Sequence, residues 1–138
     1  MKKEKVKIMT IEIPKEKWAQ FFDDLSKRRF GWETKIEVMN ESVGDQILTT
    51  GLPLNGVTFE EKSGRHEIEI AVGETTEQHQ THNISNPRKV AYLDEGEFLG
   101  GVIEIEDEKN TKTLVNLLNP MPVYVGYAEY EIVMASSK

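Results

Sequence analysis

The chain has no cysteine among its 138 residues. Disulfides, thiolate catalysis and cysteine-bound zinc are therefore excluded, and the redox compartment is left open. No stretch approaches the roughly 18 apolar residues of a membrane-spanning helix. The start, Met1-Lys2-Lys3-Glu4-Lys5, is basic, but no apolar core of a secretory signal follows it. A cytoplasmic protein with no membrane partner is the expectation. G-x-S-x-G, the P-loop, G-x-G-x-x-G and H-E-x-x-H are all missing. Internal repeats, low-complexity tracts and linkers are missing too. With 38% apolar and 30% charged residues, the composition suits one globular domain over 1–138. A chain of this length buries roughly two-thirds of its unfolded surface, enough for a core without staples.

Charge is unevenly spread. Residues 1–35 carry ten Lys or Arg against six Asp or Glu, a balance of +4. Residues 36–138 carry seven against eighteen, a balance of −11. The body would repel a phosphate backbone, so nucleic acid is not expected as a partner.

One segment has helical periodicity. Trp18, Phe21, Phe22 and Leu25 fall at i, i+3, i+4 and i+7, a single apolar stripe. Pro14 suits the entry, Lys27, Arg28 and Arg29 suit the negative end of the dipole, and Gly31 is a natural stop. The helix is predicted over about 14–29, with Trp18, Phe21, Phe22 and Leu25 buried and Lys15, Asp23 and Arg29 exposed. Ile11 and Ile13 flank Glu12, which suggests a short strand before it.

After Gly31 the period becomes 2. Trp32, Thr34, Ile36 and Val38 alternate with Glu33, Lys35 and Glu37, and Ile68, Ile70 and Val72 alternate with Glu67 and Glu69. Strands are predicted near 32–39, 43–50, 57–62, 66–72, 79–85, 88–93, 98–106, 112–118 and 123–134, with a helix over Ala128 to Ser136 as the alternative for the last. Asn55-Gly56 reads as a hairpin turn with positive φ at both residues, and Ser63-Gly64 as another turn. Asn86-Pro87 ends a strand, because proline cannot continue a central ladder. Gly100-Gly101 reads as a bend. The fold class is mainly β: an antiparallel β-barrel or sandwich of about eight or nine short strands with one N-terminal amphipathic helix. Ile36, Val38, Ile68, Ile70, Val72, Ile103, Ile105, Val115 and Leu117 should share one core, and Leu99 should face with Ile103 and Ile105.

Candidate chemistry is sparse. His79-Gln80-Thr81-His82, with His66 elsewhere, offers three imidazoles to a zinc-like ion. On a strand, however, i and i+3 lie on opposite faces, so both ligate only if the chain bends. The plainer reading makes one histidine a hydrogen-bonding strand residue and the other exposed. Glu60, Glu61, Glu67, Glu69, Glu104 and Glu106 could supply carboxylates, yet they alternate with isoleucines as on the wet face of a sheet. Arg28-Arg29 beside Trp32 could stack bases. Trp32 is better explained as the first inward residue of its strand.

Several phrases together resemble a bacterial family of small uncharacterised proteins, a domain of unknown function. They are Ile13-Pro14-Lys15-Glu16-Lys17-Trp18, Phe22-Asp23-Asp24-Leu25-Ser26, Gly31-Trp32, Ile36-Glu37-Val38, Leu52-Pro53-Leu54-Asn55-Gly56-Val57 and Val72-Gly73-Glu74. His79-Gln80-Thr81-His82-Asn83-Ile84-Ser85-Asn86-Pro87 and Pro120-Met121-Pro122 complete the set. The resemblance covers about 9–122 and implies no activity, leaving 123–138 as a C-terminal extension. Two functions follow from the residues. One is a non-enzymatic β-domain that meets a protein partner or a second copy of itself, with no cofactor. The other is a metal-dependent enzyme centred on His79, His82 and His66.

Overall fold

The computed structural model describes residues 9–75, 77–94 and 100–120. Strand β1 (Met9–Ile13) leads through a 3-10 turn (Lys15–Lys17) into helix α1 (Trp18–Arg28). Seven strands follow: β2 (Trp32–Asn40), β3 (Gly44–Lys62), β4 (Arg65–Val72), β5 (Gln80–Ser85), β6 (Pro87–Asp94), β7 (Gly101–Asp107) and β8 (Lys112–Pro120). All pairings are antiparallel, in one sheet of order β1-β6-β7-β8-β2-β3-β4-β5. Among the described residues β1 and β5 do not pair, so the sheet curls without closing. Both halves contribute to one core: Ile36, Ile103, Ile105, Val115 and Leu117 from one, and Leu54, Val57, Ile68, Ile70, Val72 and Ile84 from the other.

The helix lies where its stripe demands. Trp18, Phe22 and Leu25 are buried, Phe21 is half-buried, and Lys15 and Asp23 are exposed. The Trp18 indole meets Phe59 edge-on at 5.2 Å, and its Nε1 donates to the Ile13 carbonyl at 2.8 Å. Phe21 meets Phe22 at 5.4 Å and Tyr92 at 5.5 Å, so the helix touches both halves of the sheet. Such edge-to-face pairs suit the ring quadrupole.

Strand β3 corrects the expected hairpin. Asn55 and Gly56 do not take positive φ; they lie inside one 19-residue strand that replaces the predicted 43–50 and 57–62. Up to Pro53 the strand pairs with β2, and from Leu54 it pairs with β4, with a bulge between Leu54 and Gly56. The helix seats on this bend. The Val57 N–H donates to Ser26 Oγ at 2.8 Å, and that hydroxyl donates back to the Val57 carbonyl at 3.2 Å. A Cβ on Gly56 would meet Ser26 Oγ at 3.7 Å, so the bend packs directly against the helix. Ser26→Ala should cost about 1–3 kcal/mol, the usual penalty for a backbone group left unsatisfied, measured by urea unfolding.

Other turns follow the sequence. Ser63 and Gly64 have φ of 52° and 77°, the tight two-residue hairpin turn. Asn86, at φ 54°, forms the corner that carries the chain from β5 to β6. Its N–H donates to the His66 carbonyl, and its own carbonyl accepts from Glu108 N–H, so it ties the two halves together. Pro87 then opens β6, a position where no ladder donor is lost. Val38 is half-buried rather than in the core. The predicted strand at 123–134 and the side chain of Leu99 fall outside the described residues.

Candidate functional site

The three histidines occupy three places. His82 sits on the inward face of β5, opposite Ile70. Its Nε2 lies 2.9 Å from Thr49 Oγ1, and that hydroxyl donates to Gln80 Oε1 at 2.7 Å. With the hydroxyl proton given to Gln80, the proton in the histidine contact is the one on His82 Nε2, which donates to Thr49 Oγ1. The seam joins β3 to β5 across the open side of the curled sheet. Burial disfavours the imidazolium and lowers the His82 pKa below the ordinary 6.5. The unfolded chain therefore binds more protons than the folded one just below pH 6.5. Stability from this group is complete above that pH and declines as pH falls toward the lowered value. A His82→Gln variant should lose that share of the acid sensitivity, read from denaturation midpoints between about pH 7.5 and 5.

His66 is tied to the start of the helix. Lys15 Nζ donates to His66 Nε2 at 3.1 Å, which puts the ring proton on Nδ1. Nδ1 faces a Glu61 carboxylate oxygen at 2.9 Å but lies off the line of a hydrogen bond, so the contact is electrostatic. The ring stacks on Phe59 with centroids 5.8 Å apart. Beside it, Glu60, Ser63, Arg65, Glu67 and Ser85 line a shallow cavity of about 250 Å³.

His79 precedes β5, is exposed, and borders an open depression with Asn55, Gly73, Glu74 and Thr75. Ser85 lies opposite Glu67, so Asn86 follows opposite His66, four residues beyond His82. That separates the two rings by roughly 13 Å along the strand. Among the described residues no three His, Asp or Glu side chains converge to hold a metal ion. The carboxylates behave as a wet sheet face: Glu104 pairs with Lys112 at 3.3 Å and Glu106 with Arg88 at 2.8 Å.

Two features escaped the sequence reading. One is the margin of β3. Between Gly44 and Leu52 this strand pairs with β2 on one side, and among the described residues no strand ladder joins its other side, where the Thr49 side chain meets β5. Val43 and Ile47 there are each 58% exposed, with Leu48 and Met39 also exposed. A signal was present: Ile47 and Leu48 are adjacent in a period-2 segment, where both cannot point inward. The second is Arg29, expected outside but only 8% exposed, because its guanidinium lies 4.6 Å over the Trp32 ring.

A curled, open antiparallel sheet with one helix seated on its bent central strand defines the class: a small, mostly β domain. The chain belongs to DUF5335, a family of unknown function, whose model matches residues 9–124. It is 31% identical over 114 residues to an uncharacterized protein of Aquifex aeolicus (strain VF5), a match covering 83% of this chain and 96% of that protein. No solved structure matches it. Among the described residues no helix is long and apolar enough to cross a membrane.

Proposed function

We propose that the protein is a non-enzymatic β-domain that works through protein–protein contact, and that its contact is with a second copy of itself. The observation that carries this reading is the margin of β3. Among the described residues, a strand edge without a ladder partner, with Ile47 and Leu48 exposed on it and Val43 exposed just before it, is a surface that isolated proteins usually blunt with lysine or cover. Here the stretch 43–53 holds a single charge, Asp45. The bulge at Leu48 and the positive φ of Gly51 twist the edge, which disfavours a long inter-chain ladder and favours packing of side chains over the patch.

Charge supports the same reading. The +4 of residues 1–35 can approach the −11 of residues 36–138 in another copy, which speeds encounter and fixes orientation. Ile47→Lys should weaken self-association at least about tenfold, or about 1.4 kcal/mol, in sedimentation velocity. Because Ile47 is exposed, the same change should leave the unfolding midpoint of the monomer nearly unmoved. A dimer that survives Ile47→Lys unchanged would remove the patch from the interface. The alternative, a metal-dependent enzyme on His79, His82 and His66, needs the three rings in one cleft, and no observation above favours it.

A further inference from the structure

Three ionisable side chains from three elements meet at the entry of helix α1, and the histidine stands between opposite charges. Lys15, in the 3-10 turn, donates from Nζ to His66 Nε2 on β4 at 3.1 Å. Glu61, on β3, brings a carboxylate oxygen to 2.9 Å from Nδ1 of the same ring. Lys15 and Glu61 also border one depression, together with Glu16, Ala19 and Phe59. The two contacts differ in kind. An ammonium has donors and no lone pair, so Lys15 holds the ring only while Nε2 is unprotonated. A carboxylate only accepts, so Glu61 suits the ring better once the ring is charged.

The ring is fixed and the lysine is not. His66 stacks on Phe59, with centroids 5.8 Å apart and planes 10° from parallel. It lies opposite Glu61 in the β3–β4 ladder, and its carbonyl accepts from Asn86 N–H at 2.8 Å. Lys15 is exposed, on a single 3-10 turn whose bond from Lys17 N–H to the Pro14 carbonyl measures 2.9 Å. A change in the ring's proton therefore moves Lys15 rather than His66. Other nearby charges do not take the place of Lys15. Glu16 follows it in the turn and borders the depression, not the ring. Arg65 and Glu67 on β4, and Glu60 on β3, alternate with the residues of the site and project to the other face of the sheet, where they border a second cavity beside His66. From β5 and the corner after it come Ser85 and Asn86, neither of which titrates, and Asn86 Nδ2 donates to Glu108 at 2.9 Å.

We propose that His66 is a proton-operated latch on the entry of helix α1. Neutral, it binds Lys15 and ties the 3-10 turn to β4. Protonated, it sets Nε2–H against the Lys15 ammonium, donor against donor and cation against cation, and the turn is released while the ring turns its charge to Glu61. One proton enters from water and no covalent bond changes. Histidine is the side-chain type that changes charge between about pH 5 and 8, which makes this a response to mild acid. The latch is independent of the contact between copies proposed above.

Amide exchange of the full chain tests it, followed by NMR between about pH 7.5 and 5 and normalised to intrinsic rates, with protonation of His66 read on its own ring Cε1–H resonance. Protection of the Lys17 N–H should fall about two- to fivefold as the ring protonates, the range for an exposed charged contact. His66→Gln keeps an acceptor near the Nε2 position and takes up no proton, so protection should stay high throughout. Lys15→Met removes the donor, so protection should stay low throughout. Unchanged protection in the native chain while the ring protonates would overturn the latch. An equal fall in either variant would overturn it as well, because the response would then belong to another group. So would a fall shared equally by the amide of Ile70, which lies opposite His82, since the change would then come from the seam.

Discussion

Phe22→Ala should lower stability by about 3–5 kcal/mol, the cost of removing a fully buried phenyl ring whose surroundings collapse only in part. In a chain of this size that is a fall in melting temperature on the order of 10–20 °C. The reason is position as much as burial. Phe22 is 0% exposed, in the middle of the face that α1 turns to the sheet. Its neighbour Phe21 meets both Phe22 and Tyr92, so the cavity would open beneath the contact joining the helix to β6. Phe21→Ala should cost distinctly less, because that ring is only half-buried. Thermal unfolding of the two variants side by side checks both the magnitude and the order. Equal losses would mean that the helix is rotated relative to the stripe described above.

Gly100→Ala should be nearly as damaging, for a different reason. Gly100 has φ of +75°, where a side chain costs about 1–3 kcal/mol in backbone strain alone. A Cβ there would also run into the Leu117 carbonyl oxygen and come within 3.0 Å of the Trp32 ring. Backbone at that point cannot give way without pulling β8 from its register with β7, which pairs Leu117 with Gly101. Gly51→Ala is the matched control. Its φ is +87°, but nothing lies within 4 Å of the added carbon. It should therefore cost only about 1–2 kcal/mol, the left-handed penalty by itself. Urea unfolding of both variants separates strain from collision, and equal losses would remove the collision from the explanation.

The parts of the fold that were legible are those fixed by local periodicity. The helix declared itself because Trp18, Phe22 and Leu25 recur on one face, and β2, β4, β7 and β8 because apolar and polar residues alternate. The error at Asn55-Gly56 has a definite cause. A bulge and a hairpin both shift inward-facing parity by inserting a turn-prone residue, and Leu54-Asn55-Gly56-Val57 satisfies either. The outcome rests on Ser26, some thirty residues earlier, which bonds Val57 and holds the strand straight through the bend. Arg29 was misplaced because its charge argued for water. The ring that covers it is Trp32, and a turn brings the two into contact. The histidines could not be placed from H-x-x-H spacing. His82 answers to Thr49 and His66 to Lys15, partners far away in the chain.

On the proposed function, two copies of the chain meet through the margin of β3, guided by unequal charge. Sedimentation equilibrium of the untagged chain, run at low salt and at about 0.5 M salt, where screening reaches only a few ångströms, tests it most directly. Self-association predicts a mass that rises with protein concentration toward that of a dimer, with a weaker constant at high salt. A monomer at every concentration and both salt levels would contradict it.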